Sequence, residues 1–150
     1  MFHLEIANLT TARVNDGLFQ EAAEKVFKNL GLKADFEISL AIVGEAKIRK
    51  LNKFWRGKNR ATDVLSFPFA GEKSKKKGEF VEAPAGVEFL GEIFICLPYA
   101  KKEARRQNIP LEKELETLLV HGILHLLGYD HERSEKEEKE FFALQEKILK

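Results

Sequence analysis

The eleven residues HGILHLLGYDH, from His121 to His131, constrain this chain more than any other part of its sequence. His121 and His125 are four positions apart, so on a helix they lie on one face and can bind one metal ion together. An unbroken helix would carry His131 away from that pair. Gly128 tolerates the left-handed backbone that ends a helix, after which the chain can return His131 across the helix end. The motif therefore predicts a helix that stops at Gly128 and a three-histidine metal site.

Three imidazole ligands leave a fourth position open, which is typical of a catalytic rather than a structural zinc site. We expect one zinc ion per chain, because imidazole suits zinc well. The spacing resembles the ligand frame of the metzincin proteases, but Gly122 stands where those enzymes carry the glutamate that acts as general base. Asp130 is a candidate hydrogen-bond partner for a ligand N–H group in the second shell of the metal. Alternatively, Asp130 caps the helix that begins near Ser134.

Apolar spacing along the chain predicts alternating strands and helices first, and helices only after residue 98. Strands are predicted at 2–7, 36–43, 62–69 and 89–97, and helices at 18–30, from about 45, at 99–107, from Pro110 to Gly128, and after the capping box of Ser134 and Glu137. The helix from about residue 45 should bury Ile48, Leu51 and Phe54. This order predicts an α+β (α/β-like) fold, with a small, mixed, mostly parallel sheet covered by helices and a zincin-like metal helix.

Length and composition indicate how many domains the chain forms and in which cellular compartment it lies. With 150 residues, no repeat and no linker-like segment, a single domain over 1–150 is expected. No apolar run approaches the roughly 20 residues of a membrane span, and the first residues lack a secretory signal. Cys96 is the single cysteine, so no disulfide partner is expected, the cytoplasm is the simplest location, and the thiol should be buried. The polar, Lys-rich residues 71–86 are predicted to form a long exposed loop.

The charge pattern predicts a basic surface in addition to the metal site. Net charge is only +1, yet the segment from Lys47 to Arg60 holds seven basic residues and no acidic one. A block of one sign on a near-neutral protein indicates a face that meets a polyanion, although a solvated helix surface explains any single charge run equally well.

Three blocks together resemble the YbeY family of bacterial ribosomal RNA maturation endoribonucleases. They are HGILHLLGYDH, RGKNRATDVLSFPF at 56–69 and LGEIFICLP at 90–98, in this order. The resemblance covers almost the whole chain and implies a zinc-dependent, single-strand-specific endoribonuclease. It further implies a role in 3′-end maturation of small-subunit (16S) ribosomal RNA and in ribosome quality control, with single-stranded ribosomal RNA and the ribosome or its small subunit as partners. By position, the resemblance makes the three histidines the zinc ligands and matches Arg56 to a functionally important arginine.

The residues themselves are compatible with that chemistry. Arg56 could pair with phosphate oxygens and offset the charge that develops during cleavage, so it is the candidate catalytic residue. Candidate RNA contacts around it are Lys53, Trp55, Lys58 and Arg60, with Trp55 able to stack on an unpaired base. Two other functions stay open: a non-enzymatic ribosome-assembly or RNA-binding factor with a structural metal, and a metal-dependent hydrolase of other substrates. Gly122 argues against a peptide substrate.

Overall fold

A computed structural model of the chain describes residues 1–69 and 87–150. Its strands are β1 (Phe2–Asn8), β2 (Asp35–Val43), β3 (Val64–Pro68) and β4 (Val87–Cys96), and its helices are α1 (Asp16–Asn29), α2 (Glu45–Arg56), α3 (Leu97–Gln107), α4 (Leu111–Leu126) and α5 (Glu135–Leu149). Each predicted strand and helix is present, with ends shifted by a few residues. The loop predicted at 71–86 lies outside the described residues.

The four strands form one mixed sheet in the order β1-β2-β4-β3. β1, β2 and β4 run parallel, and β3 pairs antiparallel with β4, so the prediction of a mostly parallel mixed sheet is confirmed. Successive side chains of a strand point to opposite faces. On β2, Ile38, Leu40 and Ile42 belong to one hydrophobic cluster, while Val43 belongs to a second. Both faces of the sheet are therefore covered.

Helices supply the cover on the two faces. α1 packs against β1, α4 and α5, and α4 packs against β3 and β4, so these three helices belong to the larger cluster. α2 packs against β4 and α3, and its Ile48 joins Val43, Leu65 and Cys96 in the smaller cluster. This arrangement confirms the α+β (α/β-like) class. It also places the end of α4 beside β3, which is an edge strand within the described part of the sheet.

The prediction that Phe54 lies on the buried side of α2 is wrong, because its side chain is 77% exposed. Ile48 faces the sheet, and Phe54 comes six residues later, which at 3.6 residues per turn places it about 120° around the helix axis from Ile48. Asn52, four residues after Ile48, takes the buried position instead. Its side-chain amide donates a 2.9 Å hydrogen bond to the carbonyl of Arg60 and so fixes the basic loop after α2.

Cys96 is fully buried in the smaller cluster, and burial raises the pKa of its thiol, as expected for a packing residue. Across residues 1–69 and 87–150, no helix has the length and apolar character that crossing a membrane requires.

Candidate metal centre

The metal helix ends as its sequence predicts. The N–H of Gly128 bonds to the carbonyl of His125 at 3.0 Å, and the N–H of Tyr129 bonds to the carbonyl of Leu124 at 3.0 Å. These two bonds are the Schellman pattern, which needs a left-handed residue just past the helix, and Gly128 has a φ of 98°. The chain thus reverses directly after α4 and brings His131 back over the helix end.

The reversal brings the three histidines together. One nitrogen of each ring lies within 4.8 Å of the others, and the ring centroids are 4.8 to 5.2 Å apart. The Nε2 atoms of His121 and His125 are 3.2 Å apart. Two nitrogens bound to a tetrahedral zinc at about 2.05 Å would be about 3.3 Å apart, so this pair already has the required spacing. His121, His125 and His131 are therefore positioned to hold a metal ion.

The protonation states of His121 and His125 also fit a metal ligand set. Burial, together with the neighbouring histidines, lowers the pKa of His125 to about 4. Burial likewise lowers the pKa of His121, against the opposing effect of the hydrogen bond that this ring makes to Gln145. Because a metal binds the neutral imidazole, rings that are neutral near pH 7 release no proton when an ion enters.

α5 forms one wall of this centre. The ring of Phe141 is buried and lies 4.9 to 5.1 Å, between centroids, from all three imidazoles. One turn later, the amide oxygen Oε1 of Gln145 lies 2.9 Å from Nδ1 of His121. Nδ1–H therefore donates to Gln145, which leaves Nε2 of His121 free to bind an ion. Sequence reasoning missed Gln145, and the only signal was its place one helical turn after Phe141.

Asp130 is engaged in the loop that carries the third histidine. Its Oδ1 accepts a 2.8 Å hydrogen bond from the N–H of Glu132, and its Oδ2 forms an ion pair with Arg133 at 3.2 Å. These interactions lower the pKa of its carboxyl group, with the Glu132 bond as the largest cause. Ser134, not Asp130, caps α5 by accepting from the N–H of Glu137. A role of Asp130 in the second shell of the metal stays a prediction.

Gly122 has a packing role at the point where α4 crosses the sheet. A Cβ atom at this position would lie 3.0 Å from both Ile93 Cδ1 and Ser66 Oγ. Both distances are shorter than ordinary van der Waals contact, so a residue larger than glycine requires the side chains of Ile93 and Ser66 to shift. The glutamate that metzincins use as a base would have to displace both side chains.

The histidines line a cleft of about 710 Å³ between the end of α4 and β3. Arg56, at the end of α2, lines the same cleft, as do Asp63 and Ser66 of the β3 region. The structure therefore brings Arg56 and the histidines, 65 residues or more apart in sequence, to one cavity. Within residues 1–69 and 87–150, the Arg56 guanidinium forms no ion pair.

The other predicted RNA contacts lie outside this cleft. Lys53, Trp55, Lys58 and Arg60 are all exposed, on the last turn of α2 and the loop that follows. Arg60 lines a smaller cavity of about 470 Å³, together with Arg49. Of the predicted RNA contacts in the basic segment, Arg56 therefore lines the histidine cleft, and the other four lie on the exposed surface around it.

Comparison with known proteins shows the family of the chain. Residues 5–150 match the family model described as Endoribonuclease YbeY. The chain is 44% identical over 130 residues to an endoribonuclease YbeY of Persephonella marina, covering 87% of this chain and 78% of that one. It is 38% identical over 144 residues to an endoribonuclease YbeY of Aquifex aeolicus, covering 96% and 88%. A solution structure of a Thermotoga maritima protein matches with a TM-score of 0.60 and 33% identity, over 99% of this chain and 87% of that one. The chain belongs to the endoribonuclease YbeY family.

Proposed function

We propose that this chain is a zinc-dependent endoribonuclease, folded as a single domain, that cleaves single-stranded RNA in the cytoplasm. Its substrate is the 3′ end of small-subunit ribosomal RNA, presented by the ribosome or its small subunit during maturation and quality control. One observation carries the proposal: three histidine nitrogens within 4.8 Å of one another share a cleft with an arginine that has no ion-pair partner in the described residues.

The chemistry of the donor set favours zinc, because three neutral imidazoles are typical ligands of a catalytic zinc ion. A zinc ion held there supplies Lewis-acid polarisation of a phosphoryl oxygen and lowers the pKa of a coordinated water molecule. Gln145 holds His121 in the tautomer that offers Nε2, and Phe141 fixes the planes of all three rings.

Arg56 is the candidate catalytic residue of this proposal. Its guanidinium binds the non-bridging oxygens of the scissile phosphate through two parallel N–H bonds, which offset the charge that develops on those oxygens. The same residue positions the phosphate against the histidines, since both line one cleft. RNA carries a candidate nucleophile of its own beside the scissile phosphate, the 2′-hydroxyl, which a peptide lacks.

The exposed basic surface around Arg56 supports an RNA substrate over a peptide. Lys53, Lys58 and Arg60 neutralise phosphates of the flanking nucleotides and keep the strand in the cleft. Gly122 stands where a peptide-cleaving relative of this motif carries its glutamate base, and the packing around Gly122 is tight. A hydrolase of other substrates therefore has less support than a ribonuclease.

Purified protein incubated with single-stranded ribosomal RNA tests the proposal. Cleavage should stop when a chelator removes the metal, return when zinc is added back, and be absent in His125→Ala. Metal analysis of freshly purified protein should find zinc at about one ion per chain, as expected of a catalytic site of this type. RNA binding without cleavage under any metal condition would instead favour a ribosome-assembly factor with a structural metal.

A further inference from the structure

The end of α2 carries two large aromatic side chains that the fold does not bury. Phe54 is 77% exposed and Trp55 is 64% exposed. Their rings meet edge to face, with centroids 4.9 Å apart and planes at 75°. The two rings contribute little buried apolar area to the fold, and adjacent exposed aromatic side chains are available to contact a ligand.

The pair has a fixed support on the sheet. The ring of Trp55 lies 6.1 Å, between centroids, from Phe67 of β3, and Phe67 in turn lies 5.8 Å from Phe94 of β4. Trp55 is therefore held by one side against the sheet and open on the other. An aromatic ring with fixed orientation and an open face can stack on a planar ligand at a small entropy cost.

The position of the pair relates it to the histidine cleft. Ser66 and Pro68 of β3 line that cleft, whereas Phe67, between them, points to the opposite face of the strand and contacts Trp55. Arg56, next in sequence after Trp55, lines the cleft. A polymer that is bound in the cleft at Arg56 can therefore continue across the edge of β3 and contact the two rings.

The charges around the aromatic pair indicate which kind of polymer binds there. Lys53, Arg56, Lys58 and Arg60 surround the aromatic pair, and all four are exposed. No carboxylate pairs with any of them in the described ranges of the chain. Single-stranded nucleic acid offers both phosphates for the cations and open base faces for the rings, whereas the bases of a duplex are stacked inside and unavailable.

We propose that Phe54 and Trp55 form a stacking platform for unpaired bases that flank the scissile phosphate, and that this platform sets the preference for single-stranded over double-stranded RNA. The proposal rests on the proposed ribonuclease function. It assigns substrate selection to the end of α2 and the face of β3 opposite the histidines, outside the metal site.

Trp55 is the single tryptophan of the chain, so its fluorescence reports on this platform without a label. The probe is a mixed-sequence, single-stranded 2′-O-methyl RNA of about 12 nucleotides, within the range of lengths that comparable surfaces bind. The single strand should quench the emission. The corresponding duplex, and an abasic strand that carries the phosphates without the bases, should not. Equal quenching by the abasic strand would overturn base stacking.

Affinity of variants for a labelled copy of the single strand gives a second readout. Trp55→Ala and Phe54→Ala should each weaken binding by between about fivefold and about a hundredfold, because stacking contributes that much per base. Trp55→Phe should retain most of the affinity. Leu9→Ala is the matched control, since Leu9 is 63% exposed and follows β1 at the other end of the sheet. Both aromatic side chains are exposed, so the variants should fold, which circular dichroism verifies.

Salt dependence separates stacking from charge. Trp55→Ala should leave the slope of log affinity against log salt unchanged, whereas Lys53→Ala should reduce its magnitude by about 0.7, the value for one phosphate contact on a single strand. If wild type cleaves RNA but both aromatic variants keep full affinity, the platform is refuted while the ribonuclease function stands, and the rings are left to a protein partner. If wild type cleaves no RNA, the proposed function fails, whatever Trp55 does.

Discussion

The amide oxygen of Gln145 lies 2.9 Å from Nδ1 of His121 and joins α5 to the end of the metal helix. This bond decides which nitrogen of His121 carries the proton, so that Nε2 faces Nε2 of His125 at 3.2 Å. A residue 24 positions away in sequence therefore orients a ligand whose partner is only four positions away.

Replacing Gln145 should weaken metal binding without unfolding the chain. Gln145→Leu removes the acceptor and should lower zinc affinity by about 10- to 100-fold, as loss of such a partner typically does. Gln145→Glu keeps an acceptor oxygen and should retain most of the affinity. Competition with a chromophoric chelator measures both, and Glu146→Ala, at an exposed position next along α5, is the control. Unchanged affinity in Gln145→Leu would show that Phe141 alone orients the ring.

Arg56 should matter for cleavage and not for the metal. Arg56→Ala should lower kcat by about 10²- to 10³-fold, the usual effect of removing a donor to a developing negative charge. Arg56→Lys should recover only part of that loss, because an ammonium group cannot bind two oxygens in parallel. Multiple-turnover cleavage at saturating RNA measures kcat, and the zinc affinity of both variants should equal that of wild type.

Lys47→Ala is the matched control for Arg56, since Lys47 is an exposed cation in the first turn of the same helix. It should change affinity for RNA slightly and kcat not at all. If Arg56→Ala and Lys47→Ala reduced cleavage equally, Arg56 would be one of several phosphate contacts and have no special role in the cleft.

A side chain at position 122 should disturb the contact between α4 and the sheet. Gly122→Glu forces a large charged group against Ile93 and Ser66, where even a Cβ atom would lie 3.0 Å away. We expect a loss of about 1–3 kcal/mol or more in the free energy of unfolding, and no gain of peptidase activity. Urea denaturation measures the loss, with Ala143→Glu at an exposed position of α5 as control. A stable, peptide-cleaving Gly122→Glu would contradict this view of the packing.

The buried carboxyl group of Glu114 should make stability depend on pH. Burial, with Asp63 and Glu103 as further causes, raises the pKa of Glu114 above its ordinary value of 4.5. The folded chain then binds more protons than the unfolded one, so the free energy of unfolding falls as pH rises from 4.5 through the raised pKa. Glu114→Gln should flatten this dependence and stabilise the protein at neutral pH.

Urea denaturation at several pH values tests the Glu114 prediction. Glu112→Gln is the matched control, because Glu112 lies in the same first turn of α4 but is exposed. Both substitutions remove one negative charge from the positive end of the helix, so their difference isolates burial. An equal response of the two variants to pH would mean that the helix end, and not burial, controls the effect.

Features that depend on neighbours in sequence were predictable from the sequence. The spacing of His121 and His125 follows from the period of a helix, and Gly128 ends that helix because its φ must be positive. Ser134 caps α5 through the N–H of Glu137, as its pattern predicts. The positions of strands and helices also follow from the spacing of apolar residues, because that spacing involves only residues close together in the sequence.

Features that depend on packing between helices and strands could not be predicted from the sequence. Phe54 was expected in the core, and only the docking of α2 on the sheet shows that Asn52 takes the buried place. Gln145 carries no pattern of its own, and it reaches His121 because α5 packs across the end of α4.

The sequence by itself determined three metal ligands and the turn that gathers them, because those are local consequences of helix geometry and of one glycine. Tertiary structure alone decided what surrounds them: Arg56 in the same cleft, Gln145 on His121, and Trp55 against Phe67 around the edge of β3. These contacts join residues far apart along the chain, and they form only when burial of apolar faces fixes the helices on the sheet.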